Sequence, residues 1–488
     1  MTRRNINISG NLLIQMMNFN RFGVTQEQLQ SLVAEGLRCG GDWCDLYFED
    51  TSYNDLLLRD SSVCSGGHHV DFGCGIRVLK GEKTGYAYSE STDYQSLLRA
   101  ARSAASIASV SSEAASPFCA AAAPQTAEEK SFYRELQPWE QCSLGPFSEF
   151  LQKIEAGIRE RESRAHKIVA VLSWSRSDVM MYNSLGELTC DSRPLGSITV
   201  QTIFVQGEKT EQVRVSRSLR QGAEMLSDSL LLELINDSVK DIDQKFDARR
   251  PKGGQMSVVM GAGASGILLH EAMGHAFEAD FNRKGQSIFA DKMGCSICRK
   301  GINIVDDGTL DSIRGSINYD DEGVRGQKTY MVRDGVLTSY LHDRISAKFY
   351  GVDPTGNGRR ESFRYNPIPR MRSTYMENGS DGSVQDLIAS VNKGVYVDQF
   401  ANGQVKIGEG DFTFYVKSGY LIESGRLTMP IKDINIVGNG PEALADIVGV
   451  ASDLKVDLGT WTCGKEQSVS VSCGMPSILV NRLTIGGE

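Results

Sequence analysis

The sequence predicts an α+β fold in two parts: an N-terminal α+β domain, then a β-rich C-terminal domain, barrel-like or sandwich-like, that carries one functional helix. Three observations lead there. Helical stripes and strand-like alternation mix through the first half, whereas short alternating runs between glycine turns dominate the second. The chain has 488 residues, more than one ordinary core accommodates. The basic, glycine-containing stretch "DARRPKGGQ" between the halves reads as the boundary. The expected division is a poorly ordered leader over 1–22, an N-terminal domain over 23–248 and a C-terminal domain over 249–488. Met17 is a candidate natural start.

The elements follow in order. "VTQEQLQSLVAEGLRCGG" opens a helix: Thr25 and Gln28 form a capping-box pair, and Leu29, Leu32, Val33 and Leu37 make an apolar stripe. "WCDLYFED", "SYNDLLLRD" and "HHVDFGCGIRVLKGEKTGYAYSE" read as strands of a meander. "DYQSLLRAARSAASIAS" is a helix, and 110–126, rich in Ala, Ser and Pro, a surface loop. "GPFSEFLQKIEAGIRERESRA" is a long helix, followed by a second meander with bends at "NSLGE" and "QGEKT" and by a helix over about 223–245. Beyond a helix at 264–279, the turns "RDG", "GEG" and "ESG" between alternating runs mark β-hairpins.

Composition narrows the function. The net charge of −9 leaves no basic excess for nucleic acid or an anionic membrane. No apolar run of 18 residues is present, and the Arg3–Arg4 pair lacks a secretory apolar core after it, so a cytoplasmic protein is expected. Eleven cysteines without a regular framework, in a chain this long, point to free thiols in a reducing compartment.

The stretch "GILLHEAMGHAFEAD" carries the chemistry. His270 and Glu271 begin an H-E-x-x-H zinc-peptidase pattern, but the second histidine is His275, one residue late. Two imidazoles and a third ligand hold Zn²⁺ with a position open for water, whose pKa falls to about 7. An adjacent carboxylate can take the water proton and pass it to the leaving amine. On a regular helix, residues four apart differ by about 40° and both grip one ion; residues five apart differ by about 140° and cannot. Chelation by His270 and His275 therefore requires a deformed helix near Met273–Gly274, either a π-bulge or a turn bent at the glycine. For the third ligand, Cys463 in "GTWTCGKEQ", the Cys295/Cys298 pair in "CSIC", Glu278 and Asp280 are all open. "GAGASG" at 261–266 lacks the G-K-S/T of a phosphate loop and reads as a turn into the helix. His68 and His69 point to opposite faces of a strand and read as structural.

Five stretches together resemble the TldD/PmbA family, in its TldD branch: "GILLHEAMGHAFEADFNRKG", "IVDDGTLDSIRGSINYDDEG", "PTGNGRRESFRYNPIPRMRSTYMENG", "GEGDFTFYVKSGYLIESGRL" and "WTCGKEQSVSVSCGMPSILVNRLTIGG". They span about 255–487. Members were once called modulators of DNA gyrase and are regarded as metalloproteases. The resemblance implies a zinc site with His270, His275 and Cys463 as ligands and Glu271 as acid/base. It also implies a homodimer, or a heterodimer with a related subunit, around a closed cavity, and unfolded peptides or unstructured segments as substrates, bound as an added strand. A thiolate ligand softens the Lewis acidity of zinc. Further donors near the oxyanion are therefore expected among Arg359, Arg360, Arg364, Tyr365, Arg370 and Tyr375; the plainer alternative is a loop paired with acids such as Asp320 and Asp321. The N-terminal extension and "CSIC" fall outside the family pattern. The competing reading of the whole is a non-catalytic binding or scaffold subunit of a toxin–antitoxin or gyrase-modulating system.

Overall fold

A computed structural model describes residues 17–109 and 131–487. The leader over 1–16 and the loop expected at 110–126 lie outside the described residues. Residues 17–22, assigned above to the leader, are helical, and Phe22 is buried among Leu29, Phe48 and Leu97.

The two meanders expected in the first half are one sheet. β1 (Trp43–Arg59) spans both "WCDLYFED" and "SYNDLLLRD" without a break. β2 (Ser62–Lys80) and β3 (Lys83–Ser89) follow on one side of it; β4 (Ala165–Asn183), β5 (Leu188–Gln206) and β6 (Lys209–Leu219) follow on the other, because β1 pairs antiparallel with β4. Alternation along β1 sorts its side chains between two faces. Leu46, Phe48, Leu56 and Leu58 lie in the cores that hold the helices Gln26–Leu37, Tyr94–Ala108, Leu144–Arg161 and Asp228–Val239. Tyr47 and Glu49 face the second half, where Tyr47 packs with Phe363 and Glu49 accepts the Phe363 N–H at 2.7 Å. The Thr25 capping box forms as read. The helix expected over 223–245 is broken into Ala223–Met225, Asp228–Val239 and Ile242–Asp247, with Asp241 at φ 56° between the last two.

In the second half a barrel forms. Five strands close a ring: Gly254–Met260 pairs with Lys393–Val405, which pairs with Asp411–Glu423, then Ile434–Asn439, then Ile478–Gly486, which returns to Gly254–Met260. A separate sheet carries Lys328–Arg333, Ile304–Asp307, Ser373–Met376 and Ser472–Met475 as consecutive neighbours. Residues 267–277 share one apolar core with Val395, Phe412 and Ile436 of the barrel and with Ile304, Met376 and Met475 of that sheet. The functional segment is thus wedged between two rigid β-layers.

Candidate metal centre

The segment expected as one helix over 264–279 is a series of short turns. A 3₁₀ turn at Ala264–Gly266 leads to one α-turn at Ile267–Leu269, a π-helix at His270–Gly274 and a 3₁₀ turn at His275–Phe277. The His275 N–H donates to the His270 carbonyl, five residues back. That bond absorbs the extra residue of H-E-x-x-x-H and brings both imidazoles to one side. Their ring centroids are 5.1 Å apart and the rings nearly perpendicular, at 82°. Gly274 acts differently from the expectation. Its backbone is ordinary right-handed helix, φ −57° and ψ −50°, so no conformational freedom is used. Space is what it provides, since a Cβ there would stand 2.1 Å from Met371 Sδ.

Among the described residues, His270, His275 and Cys463 form the one group of three whose ligand atoms lie within 4.8 Å of one another. All three are buried. Cys463 comes from the hairpin Thr462–Lys465/Gln467–Ser470, whose turn places Glu466 at φ 57°. Cys463 Sγ is 3.3 Å from His275 Nε2. A nitrogen and a sulfur on one tetrahedral zinc, at about 2.1 and 2.3 Å, stand about 3.5 Å apart, so the spacing suits that ion. Two imidazoles and a thiol are also the donor types zinc prefers. The buried Nδ1 of His270 has no hydrogen-bond partner among the described residues.

Electrostatics follow from these neighbours. Burial alone would raise the Cys463 thiol; the imidazoles of His270 and His275 outweigh it and hold the pKa at about 4. The two imidazoles thus favour the thiolate, the form that binds metal. Burial would lower His275, but Glu278 and Cys463 lift it to about 10. Glu271, half-buried, is raised by burial against the pull of the two histidines. A raised carboxyl exchanges protons closer to neutral pH than an ordinary one does.

Of the other third-ligand candidates, Glu278 lies in an outer layer: its Oε2 accepts from His275 Nδ1 at 2.9 Å. The helix ends at Phe277 and Glu278 is extended, ψ 123°, which turns its carboxylate behind the ring. Asp280 pairs with Lys465 Nζ at 2.7 Å. Cys295 and Cys298 are outside the group; Cys298 is buried near the Gly335 carbonyl. His68 bonds Asn54 and His69 stacks on Tyr53, both structural contacts on a strand.

The expected oxyanion donors are mostly placed elsewhere. Arg359 donates to the carbonyls of Met371 and Ser470. Arg360 donates to the Asp321 carbonyl, and its guanidinium lies 4.2 Å from the Tyr47 ring centre. Arg364 pairs with Asp71 and Glu90, and Tyr375 donates to Asp307. Arg364 and Tyr375 thus bind acids, as in the alternative of a loop paired with acids, whereas Arg359 and Arg360 donate to carbonyls. Tyr365 is part-exposed, at 37%. Arg370 alone reaches the cluster, from behind: it donates to the Cys463 carbonyl at 2.8 Å. Lys465 was missed by sequence reasoning; its signal is a cation two residues after Cys463 on the same strand face.

Comparison with known proteins places the chain. Residues 253–487 match the model of the PmbA/TldA metallopeptidase C-terminal domain, and 44–108 match PmbA/TldA metallopeptidase domain 1. A metalloprotease TldD homolog of Haemophilus influenzae is 36% identical, with 91% of this chain and 93% of the relative covered. One from Buchnera aphidicola is 34% identical over the same shares. A zinc metalloprotease TldD homolog of Saccharolobus solfataricus is 31% identical over 60% of this chain and 65% of its own. Among solved structures, a candidate DNA gyrase modulator from Thermotoga maritima superposes with a TM-score of 0.75 at 21% identity, covering 95% of this chain and all of that one. TldE from Thermococcus kodakarensis superposes with a TM-score of 0.72 at 19% identity, covering 94% and 100%. With the fold shared along nearly its whole length and the sequence matched over nine-tenths of it, the chain belongs to the PmbA/TldD metallopeptidase family.

Proposed function

We propose that this protein is a zinc-dependent peptidase that cleaves unfolded peptides or unstructured protein segments in the cytoplasm, as a homodimer or paired with a related subunit. One observation carries the reading: a π-turn and a distant hairpin bring His270, His275 and Cys463 within 4.8 Å of each other, with Glu271 next to His270. His270, His275 and Cys463 would hold the ion. When bound, Zn²⁺ supplies Lewis acidity and acidifies a water to a pKa of about 7. Glu271 takes a proton at its carboxylate and returns it to the leaving amine, a role its raised pKa suits. The buried walls around the group exclude bulk water, so each fixed charge acts more strongly than it would in solvent. Among the described residues no helix is long and apolar enough to cross a membrane.

The test is metal analysis with turnover of an unfolded casein-type substrate. Parent protein should hold one zinc per chain and cleave. Glu271→Ala should keep the zinc and lose at least about 100-fold in rate, the lower range for a general acid–base. An unaffected rate removes Glu271 from the mechanism. Retained zinc with no cleavage of any unfolded peptide, alone or with a related subunit, would favour the scaffold reading.

A further inference from the structure

The layer behind the metal group has its own construction. Glu278 is fully buried. Its Oε2 accepts the His275 Nδ1–H at 2.9 Å and meets Lys465 Nζ at 3.0 Å; its Oε1 accepts the Met371 N–H at 3.3 Å and lies 3.8 Å from Arg370 Nε. Lys465 follows Cys463 by two residues on one strand, so both side chains project from the same face, and both are buried. The Lys465 ammonium also meets Asp280 at 2.7 Å and the Pro369 carbonyl at 3.2 Å. Arg370, itself fully buried, donates to the main-chain carbonyls of Cys463, Lys465 and Gln467 at 2.8, 3.4 and 2.9 Å.

A lone buried carboxylate is costly, and two cations offset that cost here. Both cations act on the hairpin side of the group and the imidazole lies on the helix side. Because Nδ1 of His275 is committed to Glu278, Nε2 is the nitrogen left to face Cys463 Sγ.

We propose that Lys465 and Arg370, acting through Glu278, are positioning residues that brace the ligand group: they fix the His275 ring by its Nδ1–H and lock the Cys463 hairpin against the π-turn. The brace rests on the ligand set proposed above. Neither cation touches reacting atoms. Partners of this kind behind metal-bound histidines commonly change metal affinity by about 10–100-fold.

The experiment uses the full chain with Lys465→Met and, as a second variant should the first fail to fold, Glu278→Gln. Zinc affinity is measured by chelator competition, the thiolate-to-cobalt charge-transfer band by absorption after Co²⁺ loading, and peptide cleavage at stoichiometric and excess zinc. Zinc affinity should fall about 10–100-fold, the cobalt band should shift or weaken, and excess zinc should restore most of the cleavage. Unchanged zinc affinity and an unchanged cobalt band in a folded variant overturn the brace and leave the peptidase reading standing. A parent that binds zinc but cleaves nothing, beside a variant with weakened binding, supports the brace and overturns the peptidase reading instead.

Discussion

Gly274→Ala separates two reasons for a glycine at the end of the π-turn that carries His270. If the glycine served backbone freedom, its conformation would be one that alanine avoids. It is not: at φ −57°, ψ −50°, alanine is favoured over glycine by about 1 kcal/mol. If the glycine served space, alanine must collide. The added Cβ would sit 2.1 Å from Met371 Sδ, 3.1 Å from its Cε and 3.3 Å from the Leu269 carbonyl, where carbon contacts prefer roughly 3.5–4.0 Å. The nearest colliding atoms are the end of the Met371 side chain, which is fully buried and so can give way only by repacking among its core neighbours. Overpacking of this kind costs about 3 kcal/mol at the upper end. Less the helical gain, the net is about 2 kcal/mol, or about 30-fold in zinc affinity if the turn that presents His270 and His275 absorbs the strain. Chelator competition on parent, Gly274→Ala, Met371→Ala and the double variant measures it. The double variant should recover part of the loss, because truncating Met371 removes the colliding atoms. A Gly274→Ala protein with unchanged zinc affinity and raised thermal stability would refute the argument from space.

Three further outcomes follow from the same geometry. Cys463→Ser should weaken zinc binding by more than about 100-fold, beyond the range of an outer-layer partner, and zinc retained through dialysis at full stoichiometry would refute its place in the ligand set. Glu49 is buried, and burial raises its pKa from 4.5 to about 7 against the bonds from Thr51 and the Phe363 N–H. The folded form therefore holds the proton more tightly, and stability falls by about 3 kcal/mol as pH rises from 4.5 through 7; Glu49→Gln should flatten that slope in thermal midpoints between pH 5 and 8, and identical slopes would refute it. Arg77 is fully buried between Asp45 and Glu322, each at 2.6 Å, so Arg77→Met should destabilise by about 3–5 kcal/mol, read as a lowered thermal midpoint, and an unchanged midpoint would count against it.

What could be read from the sequence was what is local. That the helix must deform between His270 and His275 followed from helix rotation alone, since five residues cannot bring two rings together on a regular helix; a π-bulge and a bend at Gly274 both stood open. The hairpins at Asp334–Gly335 and Ser424–Gly425 followed from turn chemistry, and both have left-handed backbone there. What depends on distant pairing was not legible. The junction of β1 with β4 merged two meanders, and no residue in either announces it. Cys463 lies 188 residues from His275, so no spacing rule could bring them together; the sequence left it one candidate among several, and only the family resemblance singled it out. The directions of the arginines in "GNGRRESFRYNPIPRMRSTY" were not legible, because charge density does not tell direction: Arg359 donates to a carbonyl of its own stretch and to Ser470, and Arg360 to the Asp321 carbonyl, with its guanidinium over Tyr47. Gly274 was placed correctly and explained wrongly, since the atom it makes room for belongs to Met371, 97 positions away.

The N-terminal sheet enters the site through that arginine-rich segment. Arg77 of β2 holds Glu322, and Arg193 of β5 holds Asp321 at 2.6 Å. Asp321 in turn accepts the Arg360 N–H, and its neighbour Asp320 accepts the Gly358 N–H, each at 2.9 Å. One residue from each of those points the chain is fixed again, where the Arg370 N–H donates to the Asn357 carbonyl and the Glu361 N–H to Gln467 Oε1. Gln467 and Arg370 both belong to the contacts that seat the Cys463 hairpin. Ion pairs and hydrogen bonds, joined through the backbone of 357–361, therefore link strands of the first half to the Cys463 hairpin. The first half thus backs, through Arg77 and Arg193, the segment against which the Cys463 hairpin is seated.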